Sequence, residues 1–154
     1  MILDELTRDL VEKSVLCWLA TVGQDGHPSV SPKELWNTYG TDSLVIADIA
    51  SANSVTNMRT QPKVCVSFVD VFRQKGMKLY GSAEIVPNDA NDFQKMGSQL
   101  LGIAGDKFVI RNLIHVRVER ASKIIAPSYK LFPDMDEQTM MEESYRTYGV
   151  RPAP

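Results

Sequence analysis

Ser51-Ala-Asn-Ser-Val-Thr-Asn-Met-Arg-Thr-Gln-Pro62, entered from the apolar run Ser43 to Ile49, is the stretch around which the chain is organised. Leu44-Val-Ile-Ala47 is short, rich in β-branched residues and bounded by turn residues, the pattern of a buried strand. The run stops at Asp48 and a cluster of small polar residues follows. Ser51, Asn53 or Ser54 can each cap a short helix whose apolar side is Val55 and Met58, with Pro62 ending it. A strand that delivers hydroxyl and amide residues to a helix N-terminus can hold an anion. The first-turn N–H groups there lack partners and the helix dipole favours negative charge. A plain helix cap gives the same pattern.

Outward from this stretch, the chain alternates short strands with few helices. Leu3, Leu6 and Leu10 recur at helical spacing, with Val11 beside them and charged residues between, predicting an amphipathic helix to about Ser14. Val15 to Val22 reads as a strand, and Asp25-Gly26 as the hairpin turn that returns it. The returning strand runs from Pro28 to about Tyr39, and Pro32 inside it predicts an edge, a bulge or an opening. Beyond Pro62, Lys63 to Val69 is another strand. Met77 to Val86 alternates Met77, Leu79, Gly81, Ala83 and Ile85 against polar residues, with Gly81 marking a bend or a close backbone approach. Asn88 or Asp89 is positioned to cap a helix carrying Phe93, Met96, Leu100 and Ile103, and Leu113 to Ile125 forms a last long strand. Hairpins with few crossovers predict a mainly β fold with flanking helices, an antiparallel barrel or strongly curled sheet.

A length of 154 residues suits one core, in which a chain buries roughly 70% of its unfolded surface. We divide it into a domain over residues 1–126 and a C-terminal tail over 127–154. The tail carries four of the eight prolines together with Tyr129, Phe132, Tyr145 and Tyr148, and a helix over about Asp136 to Arg146 is expected. It reads either as a loose terminal arm or as an aromatic arm packed on a partner subunit. A net charge of −2 argues against nucleic acid as the main partner. The absence of a long apolar run argues against a membrane span, and the acidic start, Asp4-Glu5, differs from a secretory signal. Cys17 and Cys65 fall on separate strands and read as reduced thiols of a cytoplasmic protein. With two histidines, His27 and His115, no zinc or iron cluster is expected.

Three segments carry a family likeness: Gly26-His-Pro-Ser-Val-Ser-Pro-Lys33, Asn57-Met-Arg-Thr-Gln-Pro-Lys-Val64 and Tyr80-Gly-Ser-Ala-Glu-Ile85. In order and spacing they resemble the FMN-binding split-barrel family related to pyridoxamine 5′-phosphate oxidase, over roughly Val15 to Val118. The resemblance is nearest to its small single-domain FMN-binding members. It implies a homodimer of antiparallel split β-barrels with FMN between the subunits. Ser31, Pro32 and Lys33 would then line the flavin ring and ribityl chain, Ser51, Asn53 and Ser54 would hold the phosphate, and Asn57 would brace that turn. The flavin would carry the redox chemistry of an oxidoreductase or electron-transfer protein, so no acid–base triad is required. Alternatives are a flavin-binding or storage module without catalysis, or the same fold holding a deazaflavin or haem. Family members that oxidise pyridoxamine phosphate grip FMN with several Arg and Lys side chains and close the substrate site with an Arg and His pair. Here no Lys or Arg lies between Lys33 and Arg59 and no histidine follows His115, so that reaction is not expected.

Overall fold

A computed structural model describes residues 3–153 of the chain. Seven strands form one antiparallel sheet: β1 (Cys17–Val22), β2 (Pro28–Lys33), β3 (Trp36–Tyr39), β4 (Ser43–Asp48), β5 (Lys63–Asp70), β6 (Lys75–Pro87) and β7 (Asn112–Ile125). Their order across the sheet is β2-β1-β5-β6-β7-β4-β3. Strands β2 and β3 thus occupy opposite edges although only Glu34 and Leu35 separate them in sequence. In a flat sheet six inter-strand spacings would put those edges about 29 Å apart. Three Cα steps, from Lys33 to Trp36, span at most about 11 Å. The sheet must therefore curl until its edges approach, which makes it a barrel. The single strand expected over Pro28 to Tyr39 is two strands for this reason, and Pro32 lies on the β2 edge, where a missing N–H is tolerated. The antiparallel split β-barrel with flanking helices expected from the sequence is the fold.

Inside the barrel, Leu19, Leu44, Ile46, Val66, Phe68 and Leu79 pack with Ile114, Val116 and Val118. Trp36 closes on Phe68 edge to face, with ring centroids 5.4 Å apart. Helix α1 (Glu5–Lys13), capped by the Asp4 carboxylate at the Thr7 N–H (2.8 Å), adds Leu10 and Val11 to this core. Leu6 is half exposed and Thr7 takes the buried position the spacing had given it. A second core lies on the outer face of the sheet, where α3 (Phe93–Ala104) sets Phe93, Met96 and Leu100 against Val45, Ala47, Val86 and Leu113. Strand β4 is therefore covered on both faces and all six of its residues are buried, which explains an apolar run that does not alternate. The expected cap at Asn88 or Asp89 is not used: α3 begins at Phe93, after Asp92, which makes no side-chain cap. Ile103, at the right spacing for the buried stripe, is exposed.

Residues 127–148 form α4 (Ser128–Leu131) and α5 (Glu137–Tyr148). Tyr145 and Tyr148 pack on Phe72 of the same chain, the Tyr129 hydroxyl donates to the Arg73 carbonyl (2.7 Å), and Lys75 pairs with Glu137 (2.7 Å). These aromatics clasp the β5–β6 turn, while Leu131 and Phe132 remain exposed.

The β6–β7 ladder shifts register between Tyr80 and Gly81, where Glu119 is the extra residue on β7. A Cβ at Gly81 would overlap the Arg117 carbonyl. Gly102, in α3, has open space at its Cβ position. Gly81→Ala should therefore lower stability by roughly 1–3 kcal/mol through overpacking, whereas Gly102→Ala should raise it by about 0.5–1 kcal/mol. Urea denaturation of the two variants checks both signs.

Candidate functional site

Closure of the barrel brings the end of β2 against the end of β4 and the start of α2 (Ala52–Thr60). Asp48, the last residue of β4, is buried and uses both carboxylate oxygens. One accepts from the Ser51 N–H (3.0 Å) and the other from Asn112 Nδ2 (2.6 Å). The Asp48 carbonyl also accepts from the Arg111 N–H (2.9 Å). This tight turn fixes Ser51 at the N-cap position of α2, where its carbonyl accepts from Val55 N–H (2.9 Å). Its hydroxyl does not cap the helix. Instead Ser51 Oγ accepts from Lys33 Nζ (2.6 Å), and the same ammonium donates to Ser31 Oγ.

Lys33 is only 8% exposed, and among the described residues no carboxylate lies within ion-pair distance of it. Burial holds its amine below the usual lysine range, partly offset by the charge of Asp48 and then by Cys17. Cys17, opposite Lys33 in the β1–β2 register, has its thiol pushed up to about 12 by burial, with Lys33 pulling the other way. Such a thiol stays protonated and unreactive at neutral pH. A buried ammonium whose hydrogen bonds go to two hydroxyls is a positive charge left without a directly paired counter-ion.

The rest of α2 is tied to the same edge of the barrel. Asn53 Nδ2 reaches Ser29 Oγ on β2 (3.3 Å), and buried Asn57 donates from Nδ2 to Thr21 Oγ1 on β1 (3.0 Å). Ser54 is buried in the first turn of the helix, which carries no acidic residue and no side-chain cap. Its N–H groups and dipole thus face no competing negative charge from within the turn. Beside this cluster lies a cavity of about 300 Å³. Lys33, Ser51 and Glu34 form the polar part of its lining, and Pro32 borders it too. Leu35, Ala47, Ile49, Ile103 and Phe108 form the apolar part.

Of the seven residues singled out from the sequence, Ser31, Lys33 and Ser51 meet directly, Asn53 and Asn57 lash α2 to β2 and β1, Pro32 borders the cavity, and Ser54 is buried in the first turn of α2 away from its lining. Sequence reasoning took Asp48 only as the end of a strand and missed its role in holding Ser51. It also missed Thr21, Ser29 and Asn112, which become partners only once the barrel closes. Ile103 and Phe108 were missed as cavity walls, and their spacing gave no signal of it. Neither histidine lines the cavity: His27 sits in the exposed β1–β2 turn, and His115 lies half-buried beside Tyr39. The donor set of one ammonium, two hydroxyls and a helix N-terminus fits a phosphate, and the adjoining apolar walls fit a planar ring. No described helix is long and apolar enough to cross a membrane.

Residues 3–125 match the family model described as Pyridoxamine 5′-phosphate oxidase. No curated protein matches the chain by sequence. Among solved structures, HupZ of Group A Streptococcus aligns at 22% identity with a TM-score of 0.66, over 80% of this chain and 98% of that one. An FMN-binding protein of Syntrophomonas wolfei aligns at 13% identity with a TM-score of 0.67, over 78% and 84%. HutZ, the haem storage protein of Vibrio cholerae, aligns at 17% identity with a TM-score of 0.63, over 81% and 95%. At these identities the structures share the fold, while the family match spans most of the chain. The chain belongs to the pyridoxamine 5′-phosphate oxidase family.

Proposed function

We propose that this protein is an FMN-binding flavoprotein, an oxidoreductase or electron-transfer protein whose cofactor lies between two copies of the chain. The observation that carries this reading is Lys33: a buried ammonium, held by Ser31 and Ser51 beside the N-terminus of α2, in a cavity that is otherwise largely apolar. Lys33, Ser31 and Ser51 would hold the phosphate together with the first-turn N–H groups around Asn53 and Ser54. Asn57 keeps that turn in place. When bound, the flavin supplies the redox chemistry, and the protein supplies position and charge. Haem is a second reading, supported by the likeness to HutZ. Its iron would need an axial ligand, and neither histidine borders the cavity, which favours the flavin. The spectrum of the purified protein separates the two, an oxidised-flavin band against a Soret band.

A second copy is part of the reading because the outward face of the β1–β2 edge is apolar and open. Trp18 and Val30 are 45% and 58% exposed there, and Trp18 pairs with Pro32 and Ala20 with Val30 in the ladder. An obligate interface should bury on the order of 2,000 Å² or more. Sedimentation at micromolar concentration should give a dimer. A monomer that still binds flavin would remove the shared site.

Phosphate recognition sets a preference for FMN over riboflavin. A helix terminus and two or three charge-assisted bonds, discounted for desolvation, should make it about 10²-fold or more. Lys33→Met should erase most of it while leaving riboflavin affinity near the unsubstituted value, and Ser51→Ala should weaken FMN in the same sense. Equal affinities for the two flavins in the unsubstituted protein would defeat the phosphate assignment.

Lys33 also gives a test without ligand. Its folded-state pKa lies below the unfolded value of 10.5, so between the two the unfolded chain binds a proton that the folded chain does not. The contribution of this group to stability therefore rises with pH across that window and is flat outside it. Urea denaturation should show Lys33→Met to be the more stable form at neutral pH, with the gap closing as pH approaches 10.5. A variant less stable than its parent at neutral pH would mean that the hydroxyls and Asp48 already compensate the charge.

A further inference from the structure

Ile103 belongs to the last turn of α3, and Phe108 follows the 3₁₀ turn Gly105–Lys107. Gly105 adopts a φ of +52°, which glycine takes without a Cβ penalty and which turns the chain at the end of the helix. The buried stripe of α3 ends at Leu100 and Ala104. Ile103 and Phe108 stand 60% and 52% exposed, yet both line the cavity that Lys33 and Ser51 enter. Val109, the next residue, is 74% exposed and does not border it. Two large apolar side chains are thus left in water at a cavity, and the neighbour that lies away from it serves as an internal control.

We propose that Ile103 and Phe108 form the ring-recognition wall of this cavity, taking the apolar heterocycle of a flavin while Lys33 and Ser51 take its phosphate. The assignment rests on the flavin reading above and goes beyond it in naming the side chains that grip the ring. A ligand filling this space must match both kinds of lining. The buried ammonium and the Ser51 hydroxyl select an anionic group at their end of the cavity, while Glu34 and the apolar walls exclude one elsewhere. An aromatic side chain beside the cavity offers a planar ring either face or edge contact. Since the wall and the cation meet different parts of the ligand, their effects on affinity should separate.

Titration of FMN and of riboflavin, followed by flavin fluorescence, tests this in the full chain. Phe108→Ala should weaken both flavins by the same factor, about tenfold. Phe108→Tyr should restore both, Ile103→Ser should weaken both, and Val109→Ala should change neither. Lys33→Met, by contrast, should weaken FMN alone. Phe108→Ala losing FMN but not riboflavin would overturn the assignment, as would equal effects of Val109→Ala. So would a Phe108→Ala protein that sediments as a monomer where its parent is a dimer, since Phe108 would then be an interface residue. If the unsubstituted protein binds neither flavin, the cofactor reading itself falls and takes the wall with it. If it binds both, and Phe108→Ala and Ile103→Ser bind them equally well, the wall alone falls.

Discussion

The short link between Lys33 and Trp36 is the constraint on which the rest of the structure depends. It joins the two edges of a seven-stranded sheet and leaves the sheet no choice but to close on itself. Closure places the last residue of β2 against the N-cap of α2, eighteen positions later, and so brings the Lys33 ammonium to the Ser51 hydroxyl. It also puts β4 between two cores, with Leu44 and Ile46 facing the barrel and Val45 and Ala47 facing α3. The rigidity of that doubly covered strand is what holds Asp48, and through Asp48 the turn that presents Ser51.

A buried lysine with hydroxyl partners is costly to keep folded, since its hydrogen bonds go to neutral groups and the Asp48 charge offsets its desolvation only in part. Lys63 and Lys75, by contrast, are paired with Glu119 and Glu137 at the surface. Lys33 is the buried cation among the described residues, and it lies at a cavity. An anion arriving there gains the Coulomb attraction the fold has left unused, and raises the amine back toward its ordinary range. Under the proposed function, folding and binding would be coupled through this one group.

Much of the barrel was legible in the sequence because local signals and tertiary outcome agree. The continuous apolar run at Leu44 to Ala47 announced a buried strand; of the edge, bulge or opening expected at Pro32 the fold shows the edge, and of the bend or close approach expected at Gly81 it shows the close approach at the β6–β7 bulge. The split of the Pro28 to Tyr39 segment was not legible, because it follows from closure rather than from propensity. The cap of α3 was misplaced for a simpler reason: Asn88 and Asp89 are good capping residues, but the chain uses them in the turn that follows β6. Among the site residues, the hydroxyls and Lys33 stood out by type. Asp48, Thr21 and Asn112 did not, since their roles are partnerships across long sequence separations. Ile103 lay on the expected apolar stripe of α3 and is exposed at the cavity instead, a position that spacing alone does not distinguish from burial.

The position of the phosphate in a crystal of the protein grown with FMN is the most direct measurement. A phosphate oxygen within hydrogen-bonding distance of Lys33 Nζ and Ser51 Oγ, facing the first-turn N–H groups of α2, is the expected result. An FMN whose phosphate lies away from Lys33, with the ammonium still bonded only to Ser31 and Ser51, would contradict it.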